Sequence, residues 1–171
     1  DGGLAAVTIT DRLAEVRQNI ERAERDPRSV TVVAVTKGFG PEAVAEAGAA
    51  GLAVGENYAQ EMLAKAGAVD AVWHFLGSIQ RNKVKSLAPL VSLWHGLSRV
   101  EEAEAIARVR PGARVLVQVD VTGQPGRGGC PLGDAERVVS GATAAGVEVC
   151  GLMTVAPPVE PEPAFRLVAA E

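Results

Sequence analysis

A lysine forms an imine with an aldehyde only from its neutral amine, and Lys37 stands where that form could be reached. It follows a nearly unbroken apolar run, Val30 to Val35, in which Thr31 is the only polar residue, and it precedes Gly38-Phe39-Gly40-Pro41. Such a run suits a strand covered on both faces, as in a parallel sheet. A lysine at the mouth of that strand can be partly desolvated, which lowers its pKa. The plainer alternative is an ammonium that simply reaches solvent, and spacing alone favours it. Glu56 and Asn57 end the next short strand, which begins with Leu52 to Val54, and so share a rim with Lys37. Asn57 could hydrogen-bond a ligand or cap the following helix, capping being the commoner use. His74, inside the apolar segment Val72 to Leu76, reads as an inward-facing barrel histidine or as a hydrogen-bonded core histidine, and His95 reads similarly. Two histidines 21 residues apart, with no matching cysteine or carboxylate spacing, do not suggest a metal site. The glycine-rich loop from Thr122 to Gly133 resembles a phosphate nest but matches neither G-x-x-x-x-G-K-[ST] nor G-x-G-x-x-G, so a flexible rim loop is the better reading.

Elements that could bring these residues to one rim are legible in the same chain. An amphipathic helix is predicted over Thr10 to Asp26, with Leu13, Val16, Ile20 and Ala23 on its apolar face. Pro41 opens a helix that ends near Gly51. Further helices are expected over Tyr58 to Ala66, closed by Gly67, and over Gln80 to Leu87, before Pro89. Leu90 to Leu97 contains the fourth strand, and Ser98 with Glu101 reads as an S-x-x-E capping box for a helix over Arg99 to Val109. Arg114 to Val121 is the fifth strand, Asp134 to Ala145 a helix, Val147 to Val155 the sixth strand, and Ala164 to Glu171 the start of another helix. Strand ends fall near residues 37, 57, 77, 97, 121 and 155, the first four spaced by 20. Six strand–helix units without a hairpin signal argue for an all-parallel sheet. An open doubly wound sheet and a (β/α)8 barrel both allow this. The leading helix and the short period favour the barrel, with about six of its eight units counted.

Composition narrows the function classes. The 171 residues suffice for one domain with a real core, and a net charge of −4 argues against a nucleic-acid surface. Arg81, Lys83 and Lys85 read as a solvated helix face. No stretch reaches the length of a membrane span, and Asp1-Gly2-Gly3-Leu4 lacks the basic and apolar regions of a signal peptide. Two isolated cysteines, Cys130 and Cys150, fit a reducing cytoplasm.

Several stretches, taken together, resemble a known family. They are AVTKGFG (Ala34 to Gly40), GENYAQE (Gly55 to Glu61), WHFLGSIQRNK (Trp73 to Lys83), QVDV followed by RGG (Arg127 to Gly129), and GLMTV (Gly151 to Val155). Their order and spacing resemble the pyridoxal-phosphate homeostasis proteins, also described as alanine racemase N-terminal-like proteins, over essentially the whole chain. The resemblance implies a single (β/α)8 TIM-type barrel domain over residues 1–171, preceded by a helix and lacking its last two strands. It implies that Lys37 holds pyridoxal 5'-phosphate through an imine, that Asn57 lies beside the cofactor, and that His74 and Met153 line the barrel mouth. It also implies a cytoplasmic monomer that stores or delivers the cofactor to apo-enzymes requiring it, with no nucleic-acid or membrane partner and no robust catalysis.

There are two departures from the family pattern. Gly38-Phe39-Gly40 stand where many members carry Thr and another polar or basic residue before Pro. The family's two C-terminal motifs, which grip the phosphate and approach the pyridine nitrogen, are not among these residues, so the chain is expected to stop before its phosphate cradle. Two other functions compete: an amino-acid racemase using the same cofactor, and a lysine-based aldolase using none. A racemase needs proton transfer on both faces of a carbon. The only tyrosine, Tyr58, directly follows Asn57 and is expected to pack against the barrel.

Overall fold

A computed structural model describes residues 8–124, 126–158 and 161–170. Pro125 of the glycine-rich loop, Val159 and Glu160 of the proline-rich loop, and Glu171 of the last expected helix lie outside the described residues. The first helix, α1 (Ile9–Arg22), is set by a reciprocal cap: Asp11 N–H donates to the Thr8 hydroxyl, and Thr8 N–H donates to the Asp11 carboxylate. It ends four residues earlier than its apolar spacing predicts. Asp26 instead starts a short 3-10 turn, Pro27–Ser29, and Val30 N–H is drawn back to the Pro27 carbonyl. The apolar run therefore pairs as a strand only over β1 (Val33–Val35).

Helices and strands then alternate: α2 (Pro41–Ala49), β2 (Ala53–Glu56), α3 (Ala59–Ala66), β3 (Trp73–Phe75), α4 (Arg81–Leu87) and β4 (Val91–Leu97). They continue as α5 (Val100–Val109), β5 (Arg114–Asp120), β6 (Cys130–Pro131), α6 (Ala135–Ala145), β7 (Glu148–Met153) and α7 (Glu162–Ala169). All pairings are parallel and run β1-β2-β3-β4-β5-β7, while the two-residue β6 pairs with the last two residues of β5. Parallel crossovers are right-handed, so a chain that always steps in one direction lays its helices on one face. A doubly wound sheet would reverse direction partway. The architecture is an arc of a (β/α)8-type barrel, and among the described residues no pairing joins β1 to β7.

Strand alternation sorts the side chains into two layers. Val54, Trp73, Phe75, Trp94, Val115, Val117 and Val119 are buried on the helix side, sharing one core with Met62, Val84, Leu87, Ile106 and Val138. Phe75 and Trp94 meet there edge to face, with ring centroids 5.6 Å apart. Gly55, His74, Gln118 and Met153 alternate to the opposite, lumen side. The expectation that the first strand is covered on both faces fails. β1 is an edge of the arc, and Val35, on its lumen side, is 43% exposed.

Two local expectations are also corrected. The residue that caps α5 is Glu102, not Glu101: its Oε2 accepts from Ser98 N–H at 2.9 Å and Arg99 N–H at 3.1 Å, and the Arg99 guanidinium covers Oε1. The helix starts one residue later than the S-x-x-E spacing implies, which leaves Glu101 exposed. The glycine-rich loop is anchored rather than free at its end, because Cys130 and Pro131 pair with Val119 and Asp120. Among the described residues no helix is long and apolar enough to cross a membrane.

The strand ends crowd at the carboxyl rim. A side chain at Gly77 would run into the backbone carbonyl of Asn57, and one at Gly96 into the carbonyl of Gly77. Backbone cannot yield as a side-chain tip can. Gly77→Ala is therefore expected to destabilise the fold by about 1–3 kcal/mol. Urea unfolding should show a lower midpoint with an unchanged slope, and an unchanged midpoint would refute the close packing of these strand ends.

Candidate functional site

Lys37 sits in the turn that follows β1, at the carboxyl end of the strand, and its side chain is exposed. The partial desolvation considered from the sequence is not found. What is buried is the layer behind it. Glu56, the last residue of β2, alternates to the helix side and is fully buried. Lys65, two turns into α3, reaches back into the same space with 7% of its side chain exposed. Its ammonium donates to Glu56 Oε1 at 2.6 Å, to the Thr36 carbonyl at 2.8 Å and to Glu61 Oε2 at 3.2 Å. The Thr36 hydroxyl donates to the same Glu56 oxygen at 2.6 Å, and Gly38 N–H donates to Glu61 Oε2 at 2.9 Å.

Burial alone pulls the Lys65 ammonium toward deprotonation, but the hydrogen bonds to Glu56 and Glu61 outweigh it, and its pKa lies above the ordinary lysine value. The Gly38 N–H, and then Lys65, hold the Glu61 carboxyl below its usual range. A protonated, doubly paired amine is not a nucleophile. Lysine 65 thus shares the rim with Lys37 but not its chemistry. Lys65 was not anticipated at this rim from the sequence. The available signal was the i, i+4 spacing of Glu61 and Lys65 on one helix.

The lumen side carries the other polar groups. His74 on β3 and His95 on β4 meet at 3.0 Å, His95 Nε2 to His74 Nδ1, with rings tilted by 44°. This settles the open choice for His74 in favour of a lumen-facing histidine that is also hydrogen-bonded. Burial depresses the pKa of both, with Arg114 adding to the effect on His74. For His95, burial and then His74 bring the value to about 4. The pair is neutral at pH 7, one ring nitrogen donating and the other accepting. Gln118 on β5 and Met153 on β7 are register partners on the same face.

The four residues anticipated from the sequence are only partly brought together. Lys37 follows one edge strand and Met153 ends the other, so the whole arc lies between them. His74 is the register partner of Gly55, itself the partner of Val35, two residues before Lys37. Asn57 lies just past β2 and is not a cap. The cap position of α3 is Tyr58, which makes no capping bond. Asn57 instead borders a cleft of about 360 Å³ between α3 and α4, with Tyr58, Ser78, Gln80 and Lys83. Tyr58, expected to pack against the barrel, is 61% exposed there because it precedes the first turn of α3. Lys83, read as part of a solvated helix face, is partly buried in the same cleft wall. Among the described residues no group of three or more His, Cys, Asp or Glu is placed to hold a metal ion.

Comparison with known proteins gives one consistent result. A family model described as "Alanine racemase, N-terminal domain" matches residues 12–166. A pyridoxal phosphate homeostasis protein of Pseudomonas aeruginosa is 37% identical over 133 residues, covering 73% of this chain and 58% of that protein. The protein of the same name from Aquifex aeolicus is 35% identical over 173 residues, covering 91% of this chain and 76% of its own length. Among solved structures, PipY of Synechococcus elongatus without pyridoxal phosphate superposes with a TM-score of 0.80 at 28% identity, covering 95% of this chain and 80% of PipY. With pyridoxal phosphate bound, PipY gives 0.71 at 27% identity, covering 92% of this chain and 81% of PipY.

The histidine pair generates a pH dependence with a definite sign. Between pH 6.5 and pH 4 the unfolded chain protonates His95 and the native state does not. Stability must therefore fall as pH falls through that window. The contribution lost is about 3 kcal/mol. His95→Gln, which keeps a hydrogen-bonding group without the titration, is expected to flatten this part of the curve in urea unfolding series at pH 7.5, 5.5 and 4.5. An identical slope in both proteins would contradict it.

Proposed function

The chain belongs to the alanine racemase N-terminal domain family, and from that premise we propose that it binds pyridoxal 5'-phosphate covalently on Lys37 and serves cofactor homeostasis by storing or delivering it. The observation that carries this reading is the exposed amine of Lys37 at the carboxyl end of β1, on the same sheet as the neutral His74–His95 pair of the lumen face. In parallel α/β folds ligands bind at that end of the strands. The names of the relatives and the cofactor-bound form of PipY support the same assignment.

The residues present suit this cofactor. When bound, pyridoxal phosphate supplies an electrophilic aldehyde carbon and an electron-accepting ring. Lys37 offers an amine that solvent and ligand can reach. His74, with His95 behind it, and Met153 offer neutral surface to an aromatic ring, so no charge is left buried against it. Asn57, just past β2 and bordering the cleft between α3 and α4, is the hydrogen-bonding group in this reading, as the resemblance implies. Lys65 is not a competing attachment site, because Glu56 and Glu61 hold its ammonium.

The position of the acid–base groups supports storage or delivery over amino-acid turnover. Racemisation requires proton exchange on both faces of one carbon. Lys37 can serve one face, whereas the single tyrosine borders the cleft between α3 and α4. Apo-enzymes that require the cofactor are the recipients in this reading, and the protein acts as a cytoplasmic monomer.

Borohydride reduction of the cofactor-treated protein, followed by peptide mass mapping, tests the attachment. The pyridoxyl label is expected on Lys37. Lys37→Ala should lose it while keeping the wild-type unfolding free energy to within about 0.5 kcal/mol, as for an exposed side chain. Label on Lys65, Lys83 or Lys85 with none on Lys37 would sink the proposal.

A further inference from the structure

We propose that Lys65, Glu56 and Glu61 are positioning residues that fix the direction in which Lys37 presents its amine; this rests on the reading of Lys37 as the attachment site. The direction of a side chain is set by the two peptide groups that flank it. Both peptide groups of Lys37 are held by this buried cluster. On the N-terminal side, the carbonyl of the Thr36–Lys37 peptide accepts from Lys65 Nζ at 2.8 Å, and also from Phe39 N–H at 3.1 Å. On the C-terminal side, the N–H of the Lys37–Gly38 peptide donates to Glu61 Oε2 at 2.9 Å. The two anchors are joined to each other, since Lys65 and Glu61 lie one turn apart on α3 with 3.2 Å between their charged atoms.

Glu56 locks the cluster to the sheet. Its Oε1 accepts both the Lys65 ammonium and the Thr36 hydroxyl at 2.6 Å, while Thr36 N–H donates to the Gly55 carbonyl at 3.0 Å. The position of α3 is thus transmitted to the backbone of Lys37 through these flanking groups. The turn itself is fitted to this. Gly38 has φ +78°, and its N–H points at Glu61. Glu56 and Glu61 are the two carboxylates of the GENYAQE stretch, and Lys65 follows one helical turn later. That stretch reads as one device: a strand end, a helix start, and three side chains gripping the neighbouring strand end. Reaction of an amine with an aldehyde is steeply sensitive to approach geometry, so loosening the grip should slow capture.

The test uses the whole chain with pyridoxal 5'-phosphate as the probe. Glu61 is the best residue to change, because its side chain is 36% exposed and its loss leaves the buried Lys65–Glu56 pair intact. In the cofactor-free protein, Glu61→Ala is expected to speed hydrogen exchange at the Gly38 amide at least tenfold, while the Val54 amide, bonded to Val72, keeps its wild-type rate. A general loss of structure would move both. With cofactor added, borohydride-trapped label on Lys37 should accumulate about tenfold more slowly in Glu61→Ala. Glu61→Gln retains an acceptor oxygen for Gly38 and should recover most of the rate. The paired variant Glu56→Gln/Lys65→Met, which removes both buried charges together, should slow labelling likewise. Wild-type labelling rates in Glu61→Ala despite a released Gly38 amide would overturn the inference and leave the attachment reading standing. Label on another lysine in the unaltered protein would overturn both.

Discussion

Glu56 is fully buried, and the ammonium of Lys65 lies against it at 2.6 Å. The rim of this molecule depends on that pair. Glu56 ends β2, Lys65 belongs to α3, and the Thr36 groups they share end β1. A helix is thereby tied by charge to two strands that already share backbone hydrogen bonds. Removing one partner of such a pair typically costs about 3–5 kcal/mol, because the other charge is left buried and alone. The stakes are higher here, since Glu56 Oε2 is buried without a partner among the described residues. All the compensation for burying this carboxylate therefore comes through Oε1.

The same alternation that turns Glu56 outward turns His74 inward, and this divides the polar chemistry into two layers of opposite character. On the helix side, charge is concentrated and paired. On the lumen side, burial keeps His74 and His95 neutral, and the two imidazoles share one hydrogen bond. The division gives the lysine at the strand end a charged framework behind it and a neutral histidine pair on the lumen face. A cofactor carrying both an aromatic ring and a reactive aldehyde calls for that combination: a rigid amine, and a face that does not compete for the ring.

Much of this was legible in the chain and some of it was not. Helices α2, α3, α4 and α6 lie within a residue or so of where Pro41, Gly51, Gly67, Pro89 and Gly146 put their limits, because those residues act locally. Repeated strand–helix alternation gave the parallel sheet, and the strand-end spacing favoured the barrel. The failures are those where a distant group decides. Val30 to Val32 stay out of the strand because the Asp26 turn claims the backbone of Val30. A two-residue strand such as Cys130–Pro131 has no periodicity to detect. That Lys65 turns toward the end of β1, rather than to solvent, depends on how α3 docks. The sequence shows only that Glu61 and Lys65 can face the same way. Exposure of Lys37 likewise reflects the turn that follows β1, which residue types around it do not reveal.

The strand order has a consequence for how the molecule comes into being. Along β1-β2-β3-β4-β5 each strand pairs with its predecessor in sequence, and β7 returns to β5. Among the described residues each new pairing spans little more than one strand–helix unit. Contacts of short sequence separation form quickly because little loop entropy is lost in making them. A chain emerging from the ribosome would therefore find each strand's partner already synthesised, with its edge free to receive it. The arc can grow by one unit at a time, as repeat proteins do. The Lys65–Glu56 contact needs only residues up to the end of α3. The grip on the rim lysine is thus among the first tertiary features the nascent chain is able to make.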